Sequence, residues 1–242
     1  MIRFENISFS RSRRTVLNNL NFTIGLEEKV AILGGSGEGK TTILKLILRL
    51  LQPDSGKILI DGEDITNLNE TDLKDVRHKF SIVFQDGALF DSLNVKENVA
   101  FYLREYFNLS EEEIDRRVRQ YLRIVSVEHA IDLMPEELSG GMIRRVAIAR
   151  SLAAQNPKMF LFDEPTSDLD PVSASTIRQL IYSLTQDNRG FIMVTHEIDD
   201  ALKTAERFLF LKEGNIKFDG TREQFLNPTD SELKQFLSEW TN

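Results

Sequence analysis

The residues best suited to chemistry form one run, Gly34-Gly35-Ser36-Gly37-Glu38-Gly39-Lys40-Thr41. Glycines, a lysine and a hydroxyl at this spacing make a phosphate loop, in which backbone N–H groups turn inward around a polyphosphate. Lys40 would reach the β- and γ-phosphates, and Thr41 would offer its hydroxyl to Mg²⁺, with Thr42 beside it in the phosphate-binding set. A second pair of reactive groups is Asp163-Glu164, at the end of the apolar run Met159-Phe160-Leu161-Phe162. Successive residues of a strand point to opposite sides, so these two acids should have different tasks. Asp163 suits a magnesium ligand acting through water, and Glu164 suits a general base that takes a proton from the attacking water.

These groups need a scaffold that brings strand ends together. Lys29-Val30-Ala31-Ile32-Leu33 reads as a strand before the loop, and Thr42 to Leu51 reads as a helix after it, so the loop lies where a helix N-terminus adds its dipole. Ile2, Phe4, Ile7 and Phe9 alternate as the inward residues of a first strand. A second strand spans Thr15 to Ile24, beyond the basic turn Arg11-Ser12-Arg13-Arg14. Further strands are expected at Lys57–Ile60, Phe80–Phe84, Lys158–Phe162, Gly190–Thr195 and Arg207–Leu211, with an Asp61-Gly62 turn after the first of these and a short helix from Glu70 to His78. Between them, Asn94–Tyr106, Ser110–Val125 and Gly140–Ala154 show helical spacing. Ser110 with Glu113 reads as a capping box, and Glu111-Glu112-Glu113 as a solvated acidic first turn. Helices are also expected from near Pro171 and near Glu197. The pattern predicts an α/β fold: a P-loop NTPase core with a mainly parallel sheet, an N-terminal antiparallel β part and an inserted helical subdomain. The expected division is 1–85 and 155–220 for the core, 86–154 for the helical part and 221–242 for a tail of two short amphipathic helices that includes Trp240.

Composition limits the alternatives. The chain has 242 residues, 41% of them hydrophobic, enough for a full core. A net charge of −8 argues against general affinity for nucleic acid. There are no cysteines, which excludes disulfides and thiolate metal sites. The charged start Met1-Ile2-Arg3-Phe4-Glu5-Asn6 does not read as a signal peptide, and no stretch approaches the ~18 apolar residues of a membrane span. Any role at a membrane is expected to come through a partner.

Leu138-Ser139-Gly140-Gly141-Met142 opens a helix, with Ser139 as its cap and the glycines leaving the first N–H groups uncovered as a second anion site. Together with Gln85, Asp163-Glu164, Ser167-Asp168-Leu169-Asp170 and Val194-Thr195-His196-Glu197, it follows the phosphate loop in the order found in the ATP-binding cassette family, which the whole chain resembles. The resemblance implies a head-to-tail dimer with each ATP between one phosphate loop and the Ser139 helix of the second copy. Gln85 then corresponds to the glutamine that touches Mg²⁺ and the attacking water, Asp168 to the residue that communicates across the dimer, and His196 to the γ-phosphate contact. Two positions depart from the family pattern. Met142 stands where glutamine is usual, and Arg11 stands where an aromatic ring normally stacks on adenine, with Phe9 the competing candidate.

A narrower resemblance rests on Phe84-Gln85-Asp86-Gly87-Ala88-Leu89-Phe90, Asn94-Val95-Lys96-Glu97-Asn98-Val99-Ala100 and Leu133-Met134-Pro135-Glu136-Glu137-Leu138. These stretches are similar to the ATPase subunits of Mla- or Mce-type lipid transporters. That implies lipid transport with an integral membrane permease contacting the Gln85 to Phe90 loop, an Mce-type lipid-binding subunit in the complex, and a peripheral position on the cytoplasmic face of the inner membrane. Gly87 to Phe90 is either an apolar socket for a permease helix or a cap on the protein's own core. The alternatives are the ATPase subunit of an importer for a polar solute such as an amino acid, and a soluble cassette acting on DNA or ribosomes. The second of these usually carries tandem cassettes, a coiled-coil insertion or basic extensions, none of which is present here.

Overall fold

The computed structural model describes residues 1–154, 157–186 and 189–241, the last three of these by their backbone alone. The N-terminal strands β1 (Ile2–Arg11) and β2 (Arg14–Ile24) form an antiparallel hairpin, and β4 (Ser55–Ile60) and β5 (Glu63–Asp64) extend it to a sheet in the order β2-β1-β4-β5. The central sheet has six strands. β6 (Phe80–Val83), β7 (Met159–Asp163), β8 (Gly190–Thr195), β3 (Lys29–Leu33) and β9 (Arg207–Lys212) run parallel, and β10 (Asn215–Thr221) closes the edge antiparallel to β9.

Strand alternation divides the core into two layers. Val30, Ile32, Leu161, Ile192, Val194 and Leu209 face the N-terminal sheet, where they meet Ile2, Phe4, Ile7 and Phe9. Their neighbours Ala31, Leu33, Phe160, Phe162, Phe191 and Met193 face the opposite way. Both faces of the parallel sheet are therefore covered, as its continuous apolar strands require. Each large side chain sealed in this way contributes on the order of 1.5 to 3 kcal/mol.

Helix α1 (Lys40–Ile47) lies in the first layer, and α2 (Glu70–Arg77) is capped by Asn69. The helical insertion consists of α3 (Val95–Tyr106), α4 (Glu111–Ile124) and α5 (Gly140–Leu152), with single 3₁₀ turns at Glu128–Ala130 and Pro135–Glu137. After it come α6 (Pro171–Leu184), α7 (Ile198–Thr204), α8 (Arg222–Leu226) and α9 (Ser231–Thr241). Among the described residues no helix is long and apolar enough to cross a membrane.

Several local expectations are corrected. α1 begins at Lys40 and ends four residues before Leu51, because Arg49 turns to φ 50° and the N–H groups of Leu50 and Leu51 both reach back to the Lys45 carbonyl. Ser110 caps α4 through the Glu113 N–H, but the Glu113 carboxylate does not return the bond; Arg116 and Arg117 hold it instead. β10 was not expected as a strand, and neither was the two-residue β5. The expected boundary at 155 and the Trp240 side chain lie outside the described residues.

Candidate functional site

β3, β7, β8 and β6 are parallel, so their C-terminal ends lie along one edge of the sheet. The phosphate loop follows β3, Glu164 follows β7, His196 follows β8 and Gln85 lies just beyond β6. One topology thus collects four separate stretches of sequence. A cleft of about 380 Å³ is bounded here by the loop residues Ser36, Gly37, Gly39, Lys40, Thr41 and Thr42, and across from them by Gln85, Glu164 and His196, with Arg11 at its rim.

The loop is shaped by close approaches as well as by torsion. Gly34 lies so close to β9 that a Cβ there would stand 2.4 Å from the Leu211 carbonyl oxygen. Gly37 and Gly39 take φ of 81° and 105°, conformations that a side chain disfavours. Lys40 is buried; its Nζ donates to the carbonyls of Gly34 at 2.9 Å and Gly35 at 3.0 Å, and lies 3.2 Å from Oε1 of Glu164. The Glu38 side chain turns away from the cleft, accepting from the Glu213 N–H at 2.6 Å and pairing with Lys212 at 3.4 Å. Its share in anion binding can come only through its backbone.

The two acids do separate. Thr41 Oγ1 donates to Oδ1 of Asp163 at 2.7 Å, whereas Oε2 of Glu164 lies 2.9 Å from His196 Nδ1 and accepts from the His196 N–H at 3.3 Å. Glu164 reaches this position through a left-handed backbone, φ 47°, anchored by its N–H on the Val194 carbonyl. A non-glycine residue held there costs on the order of 1 kcal/mol, strain of the kind stored at functional sites. Burial raises the pKa of Asp163 above the usual carboxylate range, against the hydrogen bond from Thr41, and the neighbouring charge of Glu164 adds to the rise.

Other expected residues lie apart from this cleft within the same chain. Ser139 caps α5 by accepting from the Met142 N–H, and is exposed together with Gly140 and Asp168. Gly141 is buried against α6, where a Cβ would come within 2.9 Å of Ser173 Oγ. The Met142 side chain packs against the helical core. Phe9 is excluded as a stacking ring, since it is only 8% exposed and belongs to the core between the sheets. Arg11 is exposed and lines both the phosphate cleft and an adjoining cleft of about 420 Å³.

The 85–90 loop divides in its packing. Leu89 packs against the helical core, while Phe90 stays 43% exposed beside Phe101 and under the Arg150 guanidinium. Arg150 also donates to the Gly87 and Ala88 carbonyls, fixing the loop on α5. Sequence reasoning missed this arginine, and it missed the buried Asp200, which bonds Thr166 in the loop after Glu164 and pairs with Arg178 at 2.7 Å. Nothing in their local sequence marks either one, because each acts across elements distant in the chain.

A family model described as ABC transporter matches residues 17–167. The chain belongs to the ABC transporter family. Among similar curated proteins, the intermembrane phospholipid transport system ATP-binding protein MlaF of Haemophilus influenzae is 40% identical, over 98% of this chain and 90% of its own length. The glutamine transport ATP-binding protein GlnQ of Escherichia coli is 38% identical, over 98% of each. The dimeric post-hydrolysis structure of the ATP-binding cassette MJ0796 bound to ADP and Pi superposes with a TM-score of 0.84 at 33% identity, covering 91% of this chain and 98% of that one. The α/β architecture of this ABC cassette is thus shared with solved members of the family.

Proposed function

We propose that this ABC-type ATPase pairs head to tail with a second copy around two Mg-ATP, and that closing and reopening of the pair drives phospholipid transport through a membrane permease. The observation that carries the catalytic part is the joined set Lys40, Glu164 and His196, with Thr41 and Asp163 beside it. In this reading the phosphate-loop N–H groups and Lys40 hold the triphosphate, Glu164 takes the proton of the attacking water, His196 bonds the γ-phosphate, and Gln85 orients the water. Exposed Ser139 and Gly140, with Gly141 behind them, would close over the γ-phosphate held by the second copy, and exposed Asp168 would face that copy. The exposure of these residues away from their own cleft supports a paired site.

The donor set fits Mg²⁺. Thr41 gives its hydrogen to Asp163 and so keeps its oxygen lone pairs for a cation; Gln85 supplies a further hard oxygen, and the ion takes the rest of its shell from water and phosphate. Bound there, Mg²⁺ would neutralise charge developing on the transferring phosphoryl group.

Phospholipid as cargo is supported by the likeness to MlaF over nearly the full length and by the exposed Phe90 and Phe101 on the loop and helix that would meet a permease. The helical part, 86–154, would transmit the motion. A peripheral place on the cytoplasmic face of the inner membrane and an Mce-type lipid-binding subunit in the complex belong to the same reading. The likeness to GlnQ keeps a polar-solute importer as the second reading. The complex purified with its permease and reconstituted in phospholipid vesicles separates them. Phospholipid transfer that depends on ATP supports the first reading; ATPase activity stimulated by an amino acid and its binding protein, with no lipid moved, supports the second.

A further inference from the structure

Helix α5 carries three arginines, and one of them is an exception. Arg145 donates to the Gly141 and Ser126 carbonyls, and Arg150 to those of Gly87 and Ala88. Arg144 is only 8% exposed, and its buried Nε has no acceptor among the described residues. Its guanidinium takes part in no ion pair there either. Such a group keeps its charge and its five donors in a folded protein, so leaving it unpaired away from water is costly. Burial accordingly pushes its pKa below the usual arginine value, while the negative charges of Asp86 and Asp168 pull the other way. Native interiors leave few polar groups in this state, and each one calls for a physical reason.

The surroundings supply it. The first turns of α5 stand between two loops. On one side, a Cβ on Gly87 would lie 2.7 Å from Ile143 Cγ2, so the residue after Asp86 packs against the residue before Arg144. On the other, a Cβ on Gly140 would lie 3.4 Å from Leu169 Cδ2, so the residue after Asp168 packs against the helix one turn before Arg144. Asp86 and Asp168 are both exposed, and neither carboxylate has a hydrogen-bond or ion-pair partner among the described residues. One unpaired cation thus lies between two unpaired acids, close enough to feel both and bonded to neither.

Both loops lead straight to the cleft. Asp86 follows Gln85, and the far side of its loop is already pinned to α5 by Arg150. Asp168 ends a turn that begins at Glu164, in which the Ser167 N–H and Oγ both bond the Glu164 carbonyl, at 3.4 and 3.2 Å. Glu164 and Asp168 take φ of 47° and 61°, so the turn keeps a shape that its surroundings must enforce.

We propose that Arg144 is a positioning residue for hydrolysis: as the cleft closes on nucleotide, its guanidinium takes Asp86 on one edge and Asp168 on the other, and so fixes Gln85 and Glu164 relative to each other. A planar fork with donors on two edges holds two carboxylates in set directions, which the point charge of a lysine does not. The inference rests on the reading that this cleft hydrolyses ATP with Glu164 as the base. In the nucleotide-free chain the buried charge is unsatisfied and adds nothing to stability, so its removal should spare the fold and slow the chemistry.

The test is kcat and KM of the full chain for Mg-ATP, with the melting temperature of the nucleotide-free chain beside them. Arg144→Met keeps the bulk and removes the charge. It should leave the melting temperature unchanged or raised and KM within about threefold, and lower kcat about 10- to 100-fold, the scale of loss that a misplacement of about 1 Å brings. Arg144→Lys, which keeps the charge without the fork, should lose kcat as well. Asp86→Asn should lower kcat too, and adding it to Arg144→Met should cost no more than the larger single change, since both remove one bridge. A kcat within about threefold of the parent in either Arg144 variant overturns the inference, as do losses that multiply in the double change. A lowered melting temperature of Arg144→Met also overturns it, because that marks the arginine as part of the fold. Glu164→Gln separates the two levels. If it stops turnover while Arg144→Met leaves turnover intact, the reading of the cleft stands and the inference alone falls; if it turns over as the parent does, the reading falls and the inference with it.

Discussion

Glu164→Gln tests the proposed proton-accepting role of this carboxylate with little change of shape. Glu164 is buried between Lys40, 3.2 Å from one oxygen, and His196, 2.9 Å from the other. The amide keeps an oxygen that accepts from Lys40 or from the His196 N–H, and Lys40 retains the Gly34 and Gly35 carbonyls, so the fold should survive. An amide oxygen cannot take a proton from water, and loss of a general base costs about 10²- to 10⁴-fold in turnover. Nucleotide binding should move the other way. A water bonded to both Glu164 and the γ-phosphorus sets them about 6 Å apart, where two unit charges repel by roughly 0.7 kcal/mol at bulk-water screening and about 3 kcal/mol at an effective dielectric of 20. Removing that repulsion should tighten ATP on the order of tenfold. Tighter nucleotide should in turn shift the chain toward the closed pair by mass action. Phosphate release in a single turnover reads the first effect, titration with a fluorescent ATP analogue the second, and light scattering with Mg-ATP the third. Turnover within about threefold of the parent would sink the base assignment. Weaker ATP binding would show that Glu164 helps to hold nucleotide, contrary to the charge argument.

Asp163→Asn should abolish Mg²⁺-dependent turnover yet raise the melting temperature of the nucleotide-free chain at neutral pH, measured by differential scanning fluorimetry. The pKa of Asp163 is raised on folding, so its stabilising contribution is present in acid and lost as pH rises through the folded pKa; at pH 7 the buried charge is a liability that the amide removes. For the same reason, the advantage of the amide in the nucleotide-free chain should shrink as the pH falls and the carboxyl takes up its proton, and an advantage unchanged by acidification would contradict this. Gly34→Ala should cost about 2 to 4 kcal/mol in urea unfolding, because its Cβ meets the Leu211 carbonyl at 2.4 Å, whereas Gly37→Ala, with open space but φ 81°, should cost about 1 kcal/mol. Asp200→Ala should destabilise by about 3 to 5 kcal/mol, since it strands the Arg178 charge, and a double change with Arg178→Met should recover much of that loss in the same unfolding measurement.

Alternation made the strands legible: Ile2, Phe4, Ile7 and Phe9 are all buried, as their spacing requires. Helix starts were equally plain where a side chain caps them, as at Asn94, Ser110 and Ser139. Ends set by backbone geometry were not, and α1 stops early because of a left-handed Arg49 that no residue type announces. β10 was overlooked although Ile216 and Phe218 alternate and Glu213-Gly214 is a turn, because a half-exposed, polar edge strand resembles a loop. The cleft residues could be collected from motifs, since each motif ends a strand of one parallel sheet. What motifs could not settle was which face a residue takes. Phe9 and Arg11 lie two residues apart and carry similar claims on a base until the first is seen sealed between two sheets and the second exposed beside the phosphate loop.

The charges in the cleft also imply an order of events. Lys40 is satisfied by two carbonyls and Glu164, and removing either member of such a buried pair is costly. A triphosphate entering the loop competes for the lysine, and every bond it gains to Nζ loosens the hold on Glu164. The carboxylate would then be left with His196 and free to accept from a water, as the proposed base role requires. Asp163 forms no ion pair among the described residues and feels Lys45 and Lys40 only as nearby charges, so a metal ion arriving with the triphosphate would relieve that acid. On the proposed roles, a base tied to the lysine and released by the substrate's own phosphates would keep hydrolytic competence conditional on bound nucleotide.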